Sequence, residues 1–245
     1  QSVDHELSAN IIDLCPVGAL NNKPYRYRAR AWEMQQQPLV SPHDSVGTNI
    51  FAHVLRGTVM RVVPRPNEAI NETWIADRDR FGFQGIYSTD RVQQPLVREG
   101  DSWRAVDWDT ALTLVAERLA AFGRGRSEQL GVLASPASTL EELHLLARIT
   151  RGLGSANLDH RLRRLDFRDQ SRDPVFPWLG ADIAAIEQAD ALLVVGSNLR
   201  AEAPLLAHRV RKAAAKKGAK VSFVNHQAYE YLFPVAQSLT TNGLG

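Results

Sequence analysis

Hydrophobic and polar positions divide the chain into three stretches of different rhythm. Residues 1–37 hold no sustained period. Asn21-Asn22-Lys23-Pro24 reads as a turn, Gln35-Gln36-Gln37-Pro38 as a connector, and the rest of the stretch as irregular. The alternation Tyr25-Arg26-Tyr27-Arg28-Ala29-Arg30 is expected to form a short edge strand with basic side chains outward, either a solvated face or a docking surface. Residues 38–92 are β-rich. The runs 50–55 and 58–64 flank Arg56-Gly57, which predicts a hairpin. Asn67 to Asn71 turns the chain before Trp74 to Gly82.

From Gln93 the rhythm becomes α/β. Ser102 to Val106 predicts a strand, and Asp107 is placed to cap a helix that ends at Gly123. Trp108, Ala111, Leu112, Val115, Leu119 and Phe122 fall at helical spacing along one face of that helix. Gln129 to Ser135 reads as a buried strand, and Ser138-Thr139-Leu140-Glu141 as a capping box opening a helix to Gly152. Then follow a short helix at 183–189, a strand at 191–195 and a helix from Pro204 to Gly218. A last strand spans 220–225. Alternating strands and helices predict a mostly parallel, doubly wound sheet over 93–245.

Composition narrows the function classes. A 245-residue chain can bury a sizeable core, and 44% hydrophobic with 23% charged residues is ordinary for a globular protein. A net charge of +2 argues against a polyanion partner, so no nucleic-acid role is expected. The local run Arg161-Leu162-Arg163-Arg164 is read as a solvated face or a subunit contact. The longest apolar run, 189–196, contains Asp190 and has the length of a strand, so direct membrane insertion is not expected.

The single cysteine, Cys15, excludes an internal disulfide. It stands in Asp13-Leu14-Cys15-Pro16-Val17-Gly18-Ala19-Leu20. A Cys-Pro step closes the ligand runs of ferredoxin-type iron–sulfur sites. The alternative is a buried, inert thiol between Leu14 and Val17.

With Lys23-Pro24 and Arg30-Ala31-Trp32-Glu33, that stretch resembles the family of large iron–sulfur G subunits of NADH:quinone oxidoreductase, respiratory complex I. Further likeness lies at Asn157 to Leu162 and at Asp166-Phe167-Arg168-Asp169. The resemblance implies that Cys15 is the last ligand of a [4Fe–4S] cluster. The other three ligands would come from a C-x2-C-x2-C run upstream, along with further [2Fe–2S] and [4Fe–4S] clusters. No such run precedes Cys15, and one thiolate cannot hold a cluster. The chain is therefore expected to be a fragment that begins inside a domain, its first 37 residues the tail of a ferredoxin-like domain. The fragment by itself is expected to bind no cofactor and to have no activity.

Residues 38–92 resemble the small [4Fe–4S] module that precedes the catalytic domain of molybdopterin oxidoreductases. Gly47, Asn49 and the hairpin fix its register at one end, and Asp77-Arg78-Asp79-Arg80-Phe81 at the other. The C-x2-C-x3-C-x27-C ligand positions then fall on Ser41, Asp44, Thr48 and Ala76. Hydroxyls are poor ligands for a thiolate-held cluster and alanine has no donor, so the module is expected to have lost its cluster. His43 and Asp44 alone are not expected to hold another metal.

In the α/β part, ligands of such folds sit beyond the carboxyl ends of strands. The candidate loops are Ser135-Pro136-Ala137-Ser138 and Gly196-Ser197-Asn198-Leu199-Arg200. Neither carries a dinucleotide fingerprint, so no NADH site is expected here. The second loop, continuing through Ala201-Glu202-Ala203-Pro204, resembles the pterin-facing loop of molybdopterin oxidoreductases. Complex I members of that fold carry no molybdenum, and Arg200 and Glu202 are expected to form ion pairs or helix-end contacts. His160 and Asp166 lie near arginines, and salt-bridging is the role expected of them.

The resemblance thus implies an electron-relay subunit, carrying electrons from a flavin-bearing, NADH-oxidising neighbour toward quinone. It would sit in the peripheral arm, on the cytoplasmic face of a bacterial inner membrane or the mitochondrial matrix side. Two other classes stand beside it: a molybdopterin-dependent oxidoreductase such as a formate dehydrogenase, and a cofactor-free structural module.

Overall fold

The computed structural model describes residues 4–123, 125–161, 168, 170–174 and 178–241. The chain forms two compact units, residues 88–175 and the remainder on either side of them.

The larger unit opens with a 3-10 turn, Ser8–Asn10, and the one-turn helix α1 (Ile11–Leu14). The predicted edge strand at Tyr25–Arg30 is instead a series of turns. Asn22 C=O accepts from the amides of Tyr25 and Arg26, and the Tyr25 hydroxyl donates to Ala29 C=O at 2.6 Å. Those local bonds turn the backbone, and Tyr27 adopts a left-handed φ of 66°.

Strands β1 (Gln35–Val40), β2 (Asn49–Leu55) and β3 (Thr58–Pro64) form an antiparallel sheet in that order. The predicted hairpin is present: Arg56 and Gly57 both have positive φ, the pattern of a type I′ turn, and Leu55 pairs with Thr58. The glutamine run is a strand, not a connector. All six β1 residues are exposed, so no alternation marks it, and Pro38 is tolerated because β1 is an edge strand. Ile50, Val62 and Ile75 form the core beneath, with Val59 and Phe83 packed against it. Helix α2 (Asp77–Phe81) begins two residues after Ile75.

The smaller unit contains the hairpin β4 (Leu96–Glu99) and β5 (Ser102–Ala105), then α3 (Trp108–Gly123). Asp107 caps α3, its Oδ1 accepting from the Thr110 amide at 2.7 Å. The apolar face of α3 is only partly covered. Ala111, Leu119 and Phe122 are half-buried, whereas Trp108, Leu112 and Val115 are exposed. The run 129–135 yields only a two-residue strand, β6 (Val132–Leu133), parallel to β7 (Leu158–Asp159). Leu130 C=O is taken instead by the Ser155 hydroxyl at 2.7 Å.

Helix α4 (Leu140–Gly152) lies between these strands in the chain. Its capping box lies one residue later than the expected Ser138-to-Glu141 box and uses Thr139 and Glu142: Thr139 Oγ1 accepts from the Glu142 amide, and Glu142 Oε2 accepts from the Thr139 amide at 2.8 Å. Thr139→Ala should therefore lower the stability of this unit by about 1 kcal/mol, read as a shifted midpoint in urea denaturation. Thr139→Ser should recover most of that loss.

The chain then returns to the larger unit. A 3-10 segment, Ile183–Gln188, precedes β8 (Ala191–Val195), the four-residue helix α5 (Leu199–Glu202) and α6 (Pro204–Lys212). A π-turn ends at Gly218, whose φ of 77° closes the helical segment, and β9 (Lys220–Asn225) and β10 (Gln237–Thr240) follow. The three strands are parallel in the order β10-β9-β8. Val210 and Ala214 pack on Val221 and Phe223 of β9, with Leu192 and Val194 of β8 beside them. The opposite face of β8 is open: Leu193 and Val195 are exposed. Among the described residues the parallel pairings are thus one pair and one three-stranded sheet, in separate units.

Beneath α6 lies a buried charge cluster. Arg209, 4% exposed, reaches Glu72 and Glu187, and Lys212 Nζ lies 2.6 and 2.7 Å from the same two carboxylates. Arg209 Nη2 also donates to the carbonyls of Glu68, at 2.7 Å, and Ile70, at 3.1 Å.

Candidate functional site

Cys15 sits immediately after α1, where the chain leaves the helix with an extended ψ of 104°. Pro16 and Gly18, the latter at φ 65°, curl the following residues back over the thiol. The Leu20 amide points at Sγ from 3.4 Å. That contact is the strongest influence on the thiol and holds it below its ordinary pKa. Burial opposes it as the next influence, and the amides of Ala19, Val17 and Gly18 add to the lowering. The inert-core alternative does not describe this residue: Cys15 is only half-buried, and Leu14 and Val17 are 62% and 82% exposed. The loop turns the Leu20 amide onto a half-exposed thiol whose pKa is lowered, the kind of setting that favours a metal ligand.

The turn is tied to the module behind it. Asn10, buried, exchanges hydrogen bonds with the Ile75 backbone: Nδ2 donates to Ile75 C=O at 2.7 Å, and Oδ1 accepts from the Ile75 amide at 3.1 Å. Asp77 accepts from the Ala9 amide at 2.9 Å and from the Ser8 hydroxyl at 2.8 Å. Arg80, 1% exposed, forks onto both oxygens of Asp13.

The four positions read as vacated ligands are gathered beside α2. Ser41 and Thr48 close one loop, the Ser41 amide donating to Thr48 C=O at 2.9 Å. Ala76, buried, leads α2, and its carbonyl accepts from the amides of Asp79 and Arg80. Asp44 Oδ2 receives Arg78 Nη2 at 2.6 Å, while its Oδ1 accepts from the Val46 amide. Ser41 Oγ donates to Asp79 Oδ1 at 2.5 Å, and His43 Nδ1 lies 2.7 Å from the same oxygen. Asp79 was not singled out as a site residue from sequence, although it stands in the Asp77-Arg78-Asp79-Arg80 run that set the register.

These side chains do not fit an iron–sulfur cluster. There is no thiolate among them, the Ser41 hydroxyl and both Asp44 oxygens are already engaged in hydrogen bonds, and Ala76 has no donor. Two buried oxygens, Thr48 Oγ1 and Asp79 Oδ2, have no partner among the described residues. No three His, Cys, Asp or Glu side chains converge as a metal site among the described residues.

The loop at 196–200 is internally paired. Gly196 donates its amide to Val224 C=O at 2.9 Å, and the Ser197 hydroxyl donates to Glu202 at 2.7 Å. Arg200 pairs with Glu6 at 2.8 Å, the ion-pair role expected for it. The other candidate loop, 135–138, belongs to the smaller unit, where Ser135 Oγ accepts from the Ala137 amide. Arg161 pairs with Asp159 at 3.1 Å and His160 lies 3.9 Å from it. Leu162, Arg163, Arg164, Asp166, Phe167 and Asp169 lie outside the described residues. No described helix is long and apolar enough to cross a membrane.

Comparison with known proteins gives two family matches. Residues 38–84 match the family described as NADH-ubiquinone oxidoreductase NDSU1/NuoG-like, 4Fe-4S domain, and residues 91–236 match molybdopterin oxidoreductase. The NADH-quinone oxidoreductase G subunit of Rickettsia felis is 33% identical over 94% of this chain and 34% of its own length. The mitochondrial NADH-ubiquinone oxidoreductase 78 kDa subunit of Candida albicans is 36% identical over 91% of this chain and 31% of its own. The chain thus spans about a third of the length of these relatives. Among solved structures, acetylene hydratase from Pelobacter acetylenicus shares the fold at a TM-score of 0.53, with 19% identity, over 77% of this chain and 27% of that one. The chain belongs to the molybdopterin oxidoreductase family and is a homologue of the G, or 75 kDa, subunit of complex I.

Proposed function

We propose that this chain is part of the electron-relay subunit of NADH:quinone oxidoreductase, and that Cys15 supplies one thiolate to a [4Fe–4S] cluster. The observation that carries this reading is the turn that brings the Leu20 amide onto the Cys15 thiol. A cluster there would accept and release one electron at a time; the chain's own part is to present Sγ and stabilise its negative charge. Leu20 N–H does the latter directly, at 3.4 Å. Hydrogen bonds from amides to ligating sulfur raise a cluster's reduction potential.

The remaining residues are assigned structural work. Residues 1–37 form the tail of a ferredoxin-like domain, 38–92 a cluster module that keeps its fold without its cluster, and 93–245 part of a doubly wound domain that carries no molybdenum. In the module, Ser41, Asp44, Thr48 and Ala76 have no ligand role. The bonds from Ser41 to Asp79 and from Arg78 to Asp44 join the loop to α2, a connection that a cluster would otherwise make. The proposed partners are the other peripheral-arm subunits, including the flavin-bearing NADH-oxidising one. Their proposed location is the cytoplasmic face of the bacterial inner membrane or the mitochondrial matrix side.

The test is iron, acid-labile sulfide and molybdenum per chain on protein purified without oxygen, for this chain and for the complete subunit. The expectation is iron and sulfide in the complete subunit only. Stoichiometric iron on this chain alone would refute the ligand assignment, and molybdenum with pterin would assign the chain to a molybdopterin-dependent oxidoreductase instead.

A further inference from the structure

The turn bearing Cys15 is held by polar contacts rather than by packing. Helix α1 buries none of its four residues, and Ile11 and Leu14 face solvent. One turn of helix is unstable by itself, so its orientation must come from what grips it. That grip is Asn10 on the Ile75 backbone at one end and Asp13 in the fork of Arg80 at the other. The cation of the pair is the buried partner: Arg80 is 1% exposed, while the Asp13 side chain keeps about a third of its surface. Arg80 Nη2 also reaches Asn10 Oδ1 at 3.4 Å, so one guanidinium contacts both anchor residues.

We propose that Arg80 is a positioning residue for the Cys15 thiolate: by forking onto Asp13 it fixes the direction in which the turn two residues later presents Sγ to a cluster. The inference rests on Cys15 being a ligand. The planar fork matters, because two parallel bonds fix the carboxylate plane as well as its distance, and a lysine ammonium makes no such fork. The Cys15 amide bonds to Ile11 C=O at 3.1 Å, so a rotation of α1 carries the sulfur with it.

The experiment uses the complete subunit and four variants: Asp13→Asn, Asp13→Glu, Arg80→Lys and Cys15→Ala. Three quantities are followed: the electron paramagnetic resonance signal of the reduced cluster with its midpoint potential, the rate of iron loss to a chelator, and the urea midpoint. Asp13→Asn and Arg80→Lys are expected to shift the signal and potential and to speed iron loss on the order of tenfold, the scale for residues that orient a ligand. Asp13→Glu keeps the carboxylate and should recover part of the retention. Asp13→Glu keeps an anion opposite the buried Arg80, so its urea midpoint should stay near that of the parent while its signal and potential still shift, which separates positioning from folding. Wild-type signal, potential and iron loss in both Asp13→Asn and Arg80→Lys, with the signal absent in Cys15→Ala, would overturn the role of Arg80 alone. A full signal in Cys15→Ala would overturn the ligand assignment itself, and the inference with it.

Discussion

Arg209→Ala should destabilise the larger unit by about 3–5 kcal/mol, the range for removing one partner from a buried ionic network. The guanidinium is 4% exposed, and its loss leaves two carboxylates and the carbonyls of Glu68 and Ile70 short of donors. Lys212 remains within 2.7 Å of both carboxylates, but one ammonium cannot replace the fork and reach the carbonyls as well. Urea denaturation, with hydrogen exchange of the α6 amides as the local probe, measures the loss. A change below about 1 kcal/mol would show the network to be peripheral to stability.

The same network sets a pH dependence. Burial pushes Glu72 and Glu187 up, yet the hydrogen bond from Lys212 and the charges of Arg209 and Lys212 outweigh it, so both carboxyls titrate below the usual range. Their contribution is complete above the unfolded value, roughly pH 4.3, and is lost as pH falls through the lowered folded values. Lys212 behaves oppositely. Burial would lower it, but its bonds to Glu187 and Glu72 raise it, so its contribution is complete below roughly pH 10.4 and lost as pH rises through the folded value. In Arg209→Ala the acid limb should begin at higher pH, because each carboxyl has lost one cation. Parent and variant with coincident acid limbs would contradict that account.

Cys15→Ala is expected to have the largest functional effect. In the complete subunit it removes one of four ligands from the proposed cluster, and the reduced-cluster signal and NADH:quinone turnover should both be lost. Stability of the rest should hardly change, since Cys15 packs against no buried cluster and is half-exposed. Cys15→Ser offers a poorer ligand and should retain a weakened, more labile signal. Unchanged spectra and turnover in Cys15→Ala would end the ligand assignment.

Much of the architecture was legible along the chain because local chemistry decided it. The Arg56-Gly57 hairpin needs positive φ at two residues, Asp107 and Thr139 offer cap oxygens, and Pro204 opens α6; each acts within four residues of itself. The Cys15-Pro16 step is also plain in the sequence, whereas positions 41, 44, 48 and 76 were picked out only by resemblance to a cluster module. Strand β1 was not legible, because both of its faces are exposed and only β2 makes it a strand. The Tyr25–Arg30 alternation misled for the converse reason: Asn22 and Tyr25 capture the backbone before any strand can pair with it.

By itself, then, the sequence determined the hairpin at Arg56-Gly57, the helix starts at Asp107 and Pro204, the lone thiol with its proline, and the absence of cysteine at positions 41, 44, 48 and 76. Only the tertiary structure decided what the side chains at those positions meet. Asp79 reaches Ser41 across 38 residues, Arg80 reaches Asp13 across 67, and Arg209 joins α6 to a turn more than a hundred residues earlier. Such pairs carry no local period. Burial makes an unpaired charge costly, so a folded chain must match each buried cation with an anion, but which anion it meets is decided by the packing of distant segments.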